Sequence, residues 1–152
     1  MKIVRADDKF VCQFSKREKN LLFDLLKRYP CIPSARPGLK DHSGLPESSR
    51  RLLADSLAEQ RASNQLRLQK WLSDSNRFEQ TESTWRATLS ASEMEWLLQI
   101  LNDVRVGCWI SLGSPDEKVT LAFITDKTAP LLWAMETAGE FEMRILKALD
   151  AS

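Results

Sequence analysis

Hydrophobic positions recur along this chain with two different periods, and each change of period marks a predicted element. Alternating or β-branched stretches predict three short strands, over residues 3–5, 10–14 and 84–89. The polar run between the first two strands predicts a hairpin. A further apolar, β-branched stretch at 119–125 predicts a fourth strand, whereas the polar residues 74–83 predict a loop.

Apolar residues spaced by three and four positions predict four helices. They cover residues 16–29, 47–73, 92–112 and 129–149. Ser15 with Glu18, and Ser90 with Glu93, form capping-box patterns ahead of the first and third helices. The second helix would be about 40 Å long, so a bend or break near Ala62 is an alternative to one continuous helix.

A segment rich in proline and glycine, residues 30–46, is the longest irregular stretch. With 152 residues the chain is expected to form a single domain, 1–152, that contains this loop. The element order ββααβαβα predicts a mainly α-helical α+β fold, with four main helices and a small antiparallel sheet around one core.

Composition narrows the class of protein. Hydrophobic residues at 43% and charged residues at 28% are typical of globular domains and exclude disordered and disulfide-scaffold classes. A net charge of +1 argues against a dedicated nucleic-acid binder. No stretch approaches the ~18 apolar residues of a membrane span, and the N-terminal residues lack an apolar signal core. We therefore expect a cytoplasmic protein with no membrane partner.

Three cysteines and one histidine leave little material for metal or catalytic chemistry. Cys12 and Cys108 are interpreted as small core residues, whereas Cys31 lies between prolines where exposure is expected. His42 is interpreted as part of a hydrophilic turn. Because no phosphate-binding, dinucleotide-binding or nucleophile-elbow motif occurs, no catalytic residue, metal or cofactor is expected.

Helical-wheel positions place Arg105, Glu142, Glu18 and Arg61 on faces that are otherwise apolar. A charge that faces a core must be paired or reach solvent. We therefore expect Arg105 to form an internal ion pair, with Glu142 as first choice and Glu18 as second. With Asn102, on the polar side of the third helix, these residues form the candidate polar core or pocket.

The middle of the long second helix mixes polar and apolar residues on one face. Its stripe consists of Leu53, Leu57, Gln60, Arg61, Asn64, Leu68 and Trp71. Trp133, in contrast, falls on the polar side of the last helix, together with Glu136 and Arg144. Large exposed aromatic side chains are enriched at interfaces, so Trp133 is the candidate interface residue.

The block Leu101-Asn102-Asp103-Val104-Arg105, followed by Leu112-Gly113, resembles the hallmark of the bacterial domain of unknown function 2017 family. Glu18 near the start and Trp133 in the final helix are similar as well. The chain departs from the family at Trp109 and Ser111, where the family has Gly and a second Arg. The resemblance implies a bacterial, cytosolic, helical protein whose activity is unassigned.

Three functions stay open on the sequence alone. Missing catalytic motifs and five tryptophans favour a non-catalytic interaction or accessory module that binds a protein partner or itself. The alternative is a small polar or anionic ligand-binding protein, or an enzyme, using a pocket around Arg105 and Glu142. Nucleic-acid binding by the basic first helix is the third and is opposed by the near-zero net charge.

Overall fold

The computed structural model describes residues 1–33, 44, 46–116 and 121–151. His42, most of the segment 30–46 and the start of the stretch 119–125 lie outside the described residues, so the predictions made for them stay predictions.

The predicted α+β class and its four helices are confirmed. The elements are β1 (Lys2–Ala6), β2 (Lys9–Ser15), α1 (Lys16–Leu26), α2 (Glu47–Ser73), β3 (Glu79–Gln80), β4 (Thr84–Ser90), α3 (Ala91–Ser111) and α4 (Ala129–Asp150). The first helix ends before the predicted Tyr29, and α2 runs without interruption through Ala62.

The four strands form one antiparallel sheet in the order β1-β2-β4-β3. Asp7, at a φ of 54°, closes the turn between β1 and β2, a conformation that Asp tolerates better than most residues. Phe10, Cys12 and Phe14 alternate along β2 and are buried. Their face of the sheet is therefore the one that packs on the helices.

Both capping boxes are present, and each connects a strand directly to a helix. Ser15 ends β2 and caps α1, with Glu18 closing the box. Ser90 ends β4 and caps α3, with Glu93 in the same role. Because each serine satisfies backbone N–H groups of its helix, the chain changes from strand to helix without a connecting loop.

Two segments differ from their predicted form. Glu79–Gln80, within the predicted loop 74–83, adds a short edge strand to β4. Leu121–Phe123, within the predicted strand 119–125, forms a 3-10 helix. The Thr128 hydroxyl donates to the Phe123 carbonyl at 2.6 Å and accepts from the Thr125 N–H at 2.8 Å. These local hydrogen bonds satisfy backbone groups that a strand would have paired with a neighbour.

Candidate interaction surface

Helices α3 and α4 pack along each other, and an ion pair joins them at the edge of the contact. Arg105 Nε donates to Glu142 Oε2 at 2.8 Å. Arg105 Nη2 also donates to Asn102 Oδ1 at 3.1 Å, one turn earlier on α3. The ion pair predicted between Arg105 and Glu142 is therefore confirmed.

The two partners differ in exposure, and this corrects the expectation that Arg105 faces the core. The Glu142 side chain is 11% exposed and that of Arg105 is 46% exposed. The buried face of α3 is centred near Leu97 and Val104, and Arg105 lies about 100° around the helix from that centre. Its side chain passes over Gly139 of α4, so the guanidinium reaches solvent beyond the helix contact.

Of the two residues in the ion pair, Glu142 is the buried one. Burial raises the pKa of Glu142, and the charge and hydrogen bond of Arg105 oppose that rise. Its Oε1 atom has no hydrogen-bond partner in the described part of the chain. An open groove of about 500 Å³ lies beside the pair; it is lined by Arg105, Gly139, Glu142, Met143, Leu146, Lys147 and Asp150. Two basic and two acidic side chains therefore balance one another there.

Glu18 lies in another part of the molecule. One carboxylate oxygen accepts from the Ser15 N–H to close the capping box, and the other contacts the amino group of Met1. Arg144 Nη1 donates to Glu18 Oε1 at 3.1 Å. Glu18 therefore links α1 to Met1, just ahead of β1, and to α4, and the second choice of partner for Arg105 is wrong.

Arg61 and Asn102 line a different cavity, a groove of about 320 Å³ between α2 and α3. We call it the α2–α3 groove. It is lined by Tyr29, Ile32, Leu57, Gln60, Arg61, Asn64, Gln99, Asn102 and Asp103. The lining combines three apolar or aromatic side chains with four side-chain amides, each of which both donates and accepts hydrogen bonds.

Two polar side chains build the walls of this groove. Asn64 Nδ2 donates to the Tyr29 hydroxyl at 3.3 Å, and Asn64 Oδ1 accepts from Trp96 Nε1 at 3.1 Å. Asp103 Oδ1 accepts from the backbone N–H of Cys31 at 2.6 Å and from that of Ile32 at 3.3 Å. The turn after α1 is thereby attached to both α2 and α3.

The apolar stripe of α2 continues beyond the core into this groove. Leu68 and Trp71 are buried near the C-terminal end of the helix. Leu53 and Leu57, on the same face farther toward the N-terminus, are 54% and 49% exposed. We call these two leucines the exposed α2 stripe. Because Leu57 also lines the groove, the stripe and the groove form one surface.

Trp133 lies on the outer side of α4, where the helical wheel places it. Its side chain is 39% exposed, and the Arg28 guanidinium carbon lies 5.9 Å from the ring centroid. This position agrees with the expected exposure, whereas a protein contact at Trp133 stays a prediction.

Tyr29, Ile32 and Gln99 are groove residues that the sequence analysis does not single out. The sequence predicts the mixed polar and apolar face of α2 and the polar face of α3 that carries Asn102. It does not indicate that these two faces lie against each other. For Ile32, the neighbouring prolines are the only local feature, and they indicate an irregular backbone rather than a groove wall.

Among the described residues, no helix has the length and apolar character needed to cross a bilayer. Within the same residues, no group of three or more His, Cys, Asp or Glu side chains is arranged to hold a metal ion. No protein-family model, curated protein or solved structure matches the chain.

Proposed function

We propose that this protein is a non-catalytic interaction module that binds an apolar-anchored polypeptide segment of a partner protein in the α2–α3 groove. The observation that carries the proposal is that the exposed α2 stripe leads into a groove with an amide-rich lining. Exposed apolar residues bordered by polar groups are typical of protein-binding surfaces.

The chemistry of the groove matches a polypeptide. Side-chain amides such as Gln60 and Gln99 offer a donor and an acceptor in the same way as a peptide group, so they complement a bound main chain. Leu57 and Ile32 supply apolar surface for an anchoring side chain. A volume of about 320 Å³ lies at the small end of the range for ligand pockets, which suits one or two side chains.

The charges of the groove also favour a polypeptide over a small anion. Arg61 is the single cationic side chain among the described lining residues, and Asp103 balances it. Asp103 itself already accepts two backbone N–H groups. Sites that bind carboxylate or phosphate instead concentrate cationic donors, Arg above all.

The alternative, a small polar or anionic ligand at Arg105 and Glu142, has weaker support. Arg105 is already paired with Glu142 and Asn102, so an anion would have to displace a carboxylate that sits 2.8 Å away. The surrounding groove also carries no excess of positive charge.

The bacterial origin, the cytoplasmic location and membership of the domain of unknown function 2017 family belong to the same proposal. They rest on the resemblance of residues 101–105. Fractionation of the source cells with immunodetection tests the location, and a membrane-bound pool would contradict it.

A displayed library of random peptides, selected on the purified full chain, tests the proposed binding. Selected peptides are synthesised and titrated by fluorescence anisotropy against the wild type and against Leu57→Gln. The matched control is Leu66→Gln, because Leu66 is 55% exposed on the opposite face of α2. Trp133→Ala, in the same assay, tests whether Trp133 is a second contact.

We expect Leu57→Gln to weaken peptide binding about tenfold or more, as truncation of an interface anchor does, and Leu66→Gln to change it by less than about twofold. Failure to select any binding peptide would overturn the proposal, as would equal binding to both variants. Sedimentation of the full chain tests whether a second copy of the chain occupies the surface instead. A dimer that Leu57→Gln abolishes would show that a second copy, not a different protein, covers the exposed α2 stripe.

A further inference from the structure

Two of the three cysteines meet where the turn after α1 crosses α3. A Cβ built on Gly107 would lie 2.3 Å from the Cβ of Cys31 and 2.4 Å from its carbonyl carbon. Only glycine permits so close an approach of the two backbone segments. Cys108 follows Gly107 directly, so it lies next to the point where Cys31 meets α3, and the two thiols shift each other's pKa.

Both cysteines are held in position by their surroundings. Cys108 belongs to α3, and Asp103 of the same helix binds the backbone N–H groups of Cys31 and Ile32. The Cys31 thiol donates to the Arg28 carbonyl at 3.0 Å. A disulfide needs Cβ atoms about 3.5–4.5 Å apart, which is possible only between main-chain segments that pack closely.

We propose that Cys31 and Cys108 form a dithiol site that hydroperoxides oxidise to an intramolecular disulfide. Cys108 is buried and Cys31 is half-buried, so the oxidant must be small. The inference is independent of the proposed peptide binding, although the disulfide would fix the turn that carries Tyr29 and Ile32, two groove residues.

The reaction balances with hydrogen peroxide as the oxidant. The Cys108 thiolate attacks one peroxide oxygen, the O–O bond breaks, and a sulfenic acid and a hydroxide form; the hydroxide takes up a proton to give water. The Cys31 sulfur then attacks the Cys108 sulfur, the S–S bond forms, and the departing hydroxide takes the Cys31 proton. Two thiols and one peroxide thus give one disulfide and two waters.

Electrostatics favours Cys108 as the thiolate. The interaction with the Cys31 side chain lowers the pKa of Cys108 to about 7, helped by the Arg28 charge and opposed by burial. The same interaction raises the pKa of Cys31, as do burial and Asp103. Cys12 is the internal control, because burial raises its pKa to about 12. The thiolate is the reacting form, so peroxide should select the Cys108 site over Cys12.

Treatment of the purified full chain with hydrogen peroxide, followed by unfolding and maleimide labelling, tests the pairing. The reduced chain holds three cysteines and should take three labels, whereas the oxidised chain should take one (3 − 2), on Cys12. Peptide mapping should find Cys31 joined to Cys108. A Cys12→Ala chain should form the same link, and Cys31→Ser or Cys108→Ala should prevent it. Three labels after oxidation, a link through Cys12, or a link between two chains would overturn the proposal.

Alkylation of Cys108 as a function of pH provides a second readout. The wild-type rate should reach half its maximum near pH 7, and Cys31→Ala should move that midpoint upward, because the thiolate loses the interaction with Cys31 that lowers its pKa. A wild-type midpoint near 8.5, the ordinary value for a thiol, would overturn the role of Cys108 as the attacking thiolate.

Discussion

Helices α2 and α4 are the two longest in the described chain, with 27 and 22 residues, and they use their apolar stripes differently. α4 packs along α3 and buries residues over several turns, from Ala134 to Ile145. α2 buries only Leu68 and Trp71, near its C-terminal end. Both helices carry the stripe that predicts a buried face. The comparison shows that the helical period predicts which face of a helix is apolar. How many turns of that face become buried depends on the rest of the fold.

An aromatic cluster holds the packed end of α2. The Trp71 ring meets that of Phe78 nearly edge-on, with centroids 5.2 Å apart and an interplanar angle of 88°. The rings of Phe23 and Trp96 each have centroids 6.3 Å from that of Trp71. One side chain thus connects α2 with α1, with α3 and with the segment ahead of β4.

Trp71→Ala should therefore give the largest effect, a loss of about 3–5 kcal/mol in the free energy of unfolding, because it opens a cavity among these rings. Urea denaturation monitored by far-ultraviolet circular dichroism measures it. Trp71→Phe is the matched control and should cost less, since it keeps a ring and removes an indole N–H that has no partner in the described residues. A loss below about 1 kcal/mol for Trp71→Ala would break the comparison, because the end of α2 would then not be anchored.

Asn64→Ala should cost about 1–3 kcal/mol, because it leaves the Trp96 indole N–H without its acceptor and the Tyr29 hydroxyl without a donor. Gln65→Ala, at the exposed neighbouring position, should change the free energy of unfolding by less than about 0.5 kcal/mol. A double-mutant cycle with Trp96→Phe isolates the contact. If the two substitutions are additive, the hydrogen bond does not contribute to holding α2 against α3.

These local and tertiary features differ in how far the sequence predicts them. Both capping boxes follow from four consecutive residues each, at Ser15 and Ser90, so the helix starts are predicted correctly. The pairing of Arg105 with Glu142 also follows, because both positions lie on faces of helices that pack together. The exposure of Arg105 does not follow, since a small rotation of the buried face of α3 moves that position from the interior to the margin.

The candidate site lies mostly beyond what the sequence can predict. The α2–α3 groove and the meeting of Cys31 with Cys108 depend on how the turn after α1 docks on α3. Asp103 and Gly107 fix that approach, the first through two backbone hydrogen bonds and the second through its missing side chain. Neither residue shows its tertiary partner in the sequence, because a polar residue and a glycine in a helix are compatible with many other roles.

On the α4 side, Glu142→Gln should change the free energy of unfolding by less than about 1 kcal/mol at neutral pH, because the half-exposed Arg105 can be solvated when its partner is neutral. The expected sign depends on pH. Burial raises the pKa of Glu142 above its value in the unfolded chain, so the folded state binds that proton more tightly. The stability from this group is complete below the unfolded pKa of about 4.3 and is lost as the pH rises through the higher folded pKa.

Since glutamine does not titrate, the wild type should lose stability relative to Glu142→Gln as the pH is raised from about 4. Urea unfolding of both proteins over a pH series measures the difference, and Glu140→Gln, at an exposed position two residues away on the same helix, is the control. A difference that changes in the opposite direction would show that the Arg105 charge, rather than burial, dominates the environment of Glu142, and a constant difference would show that the two effects cancel.

The smallest effects are expected at the projecting end of α2. Leu53→Gln and Leu57→Gln should each cost less than about 1 kcal/mol, because about half of each side chain is already exposed and glutamine forms helices nearly as well as leucine. Leu66→Gln, on the opposite face with similar exposure, should give the same value. Urea unfolding of the three variants compares them directly.

A loss of 2–3 kcal/mol confined to Leu53 and Leu57 would match full burial of a leucine, and the stripe would then be covered in the free protein. Equal, small losses would instead show that the exposed α2 stripe is not buried in the free protein. A partner-binding role requires such an uncovered apolar surface.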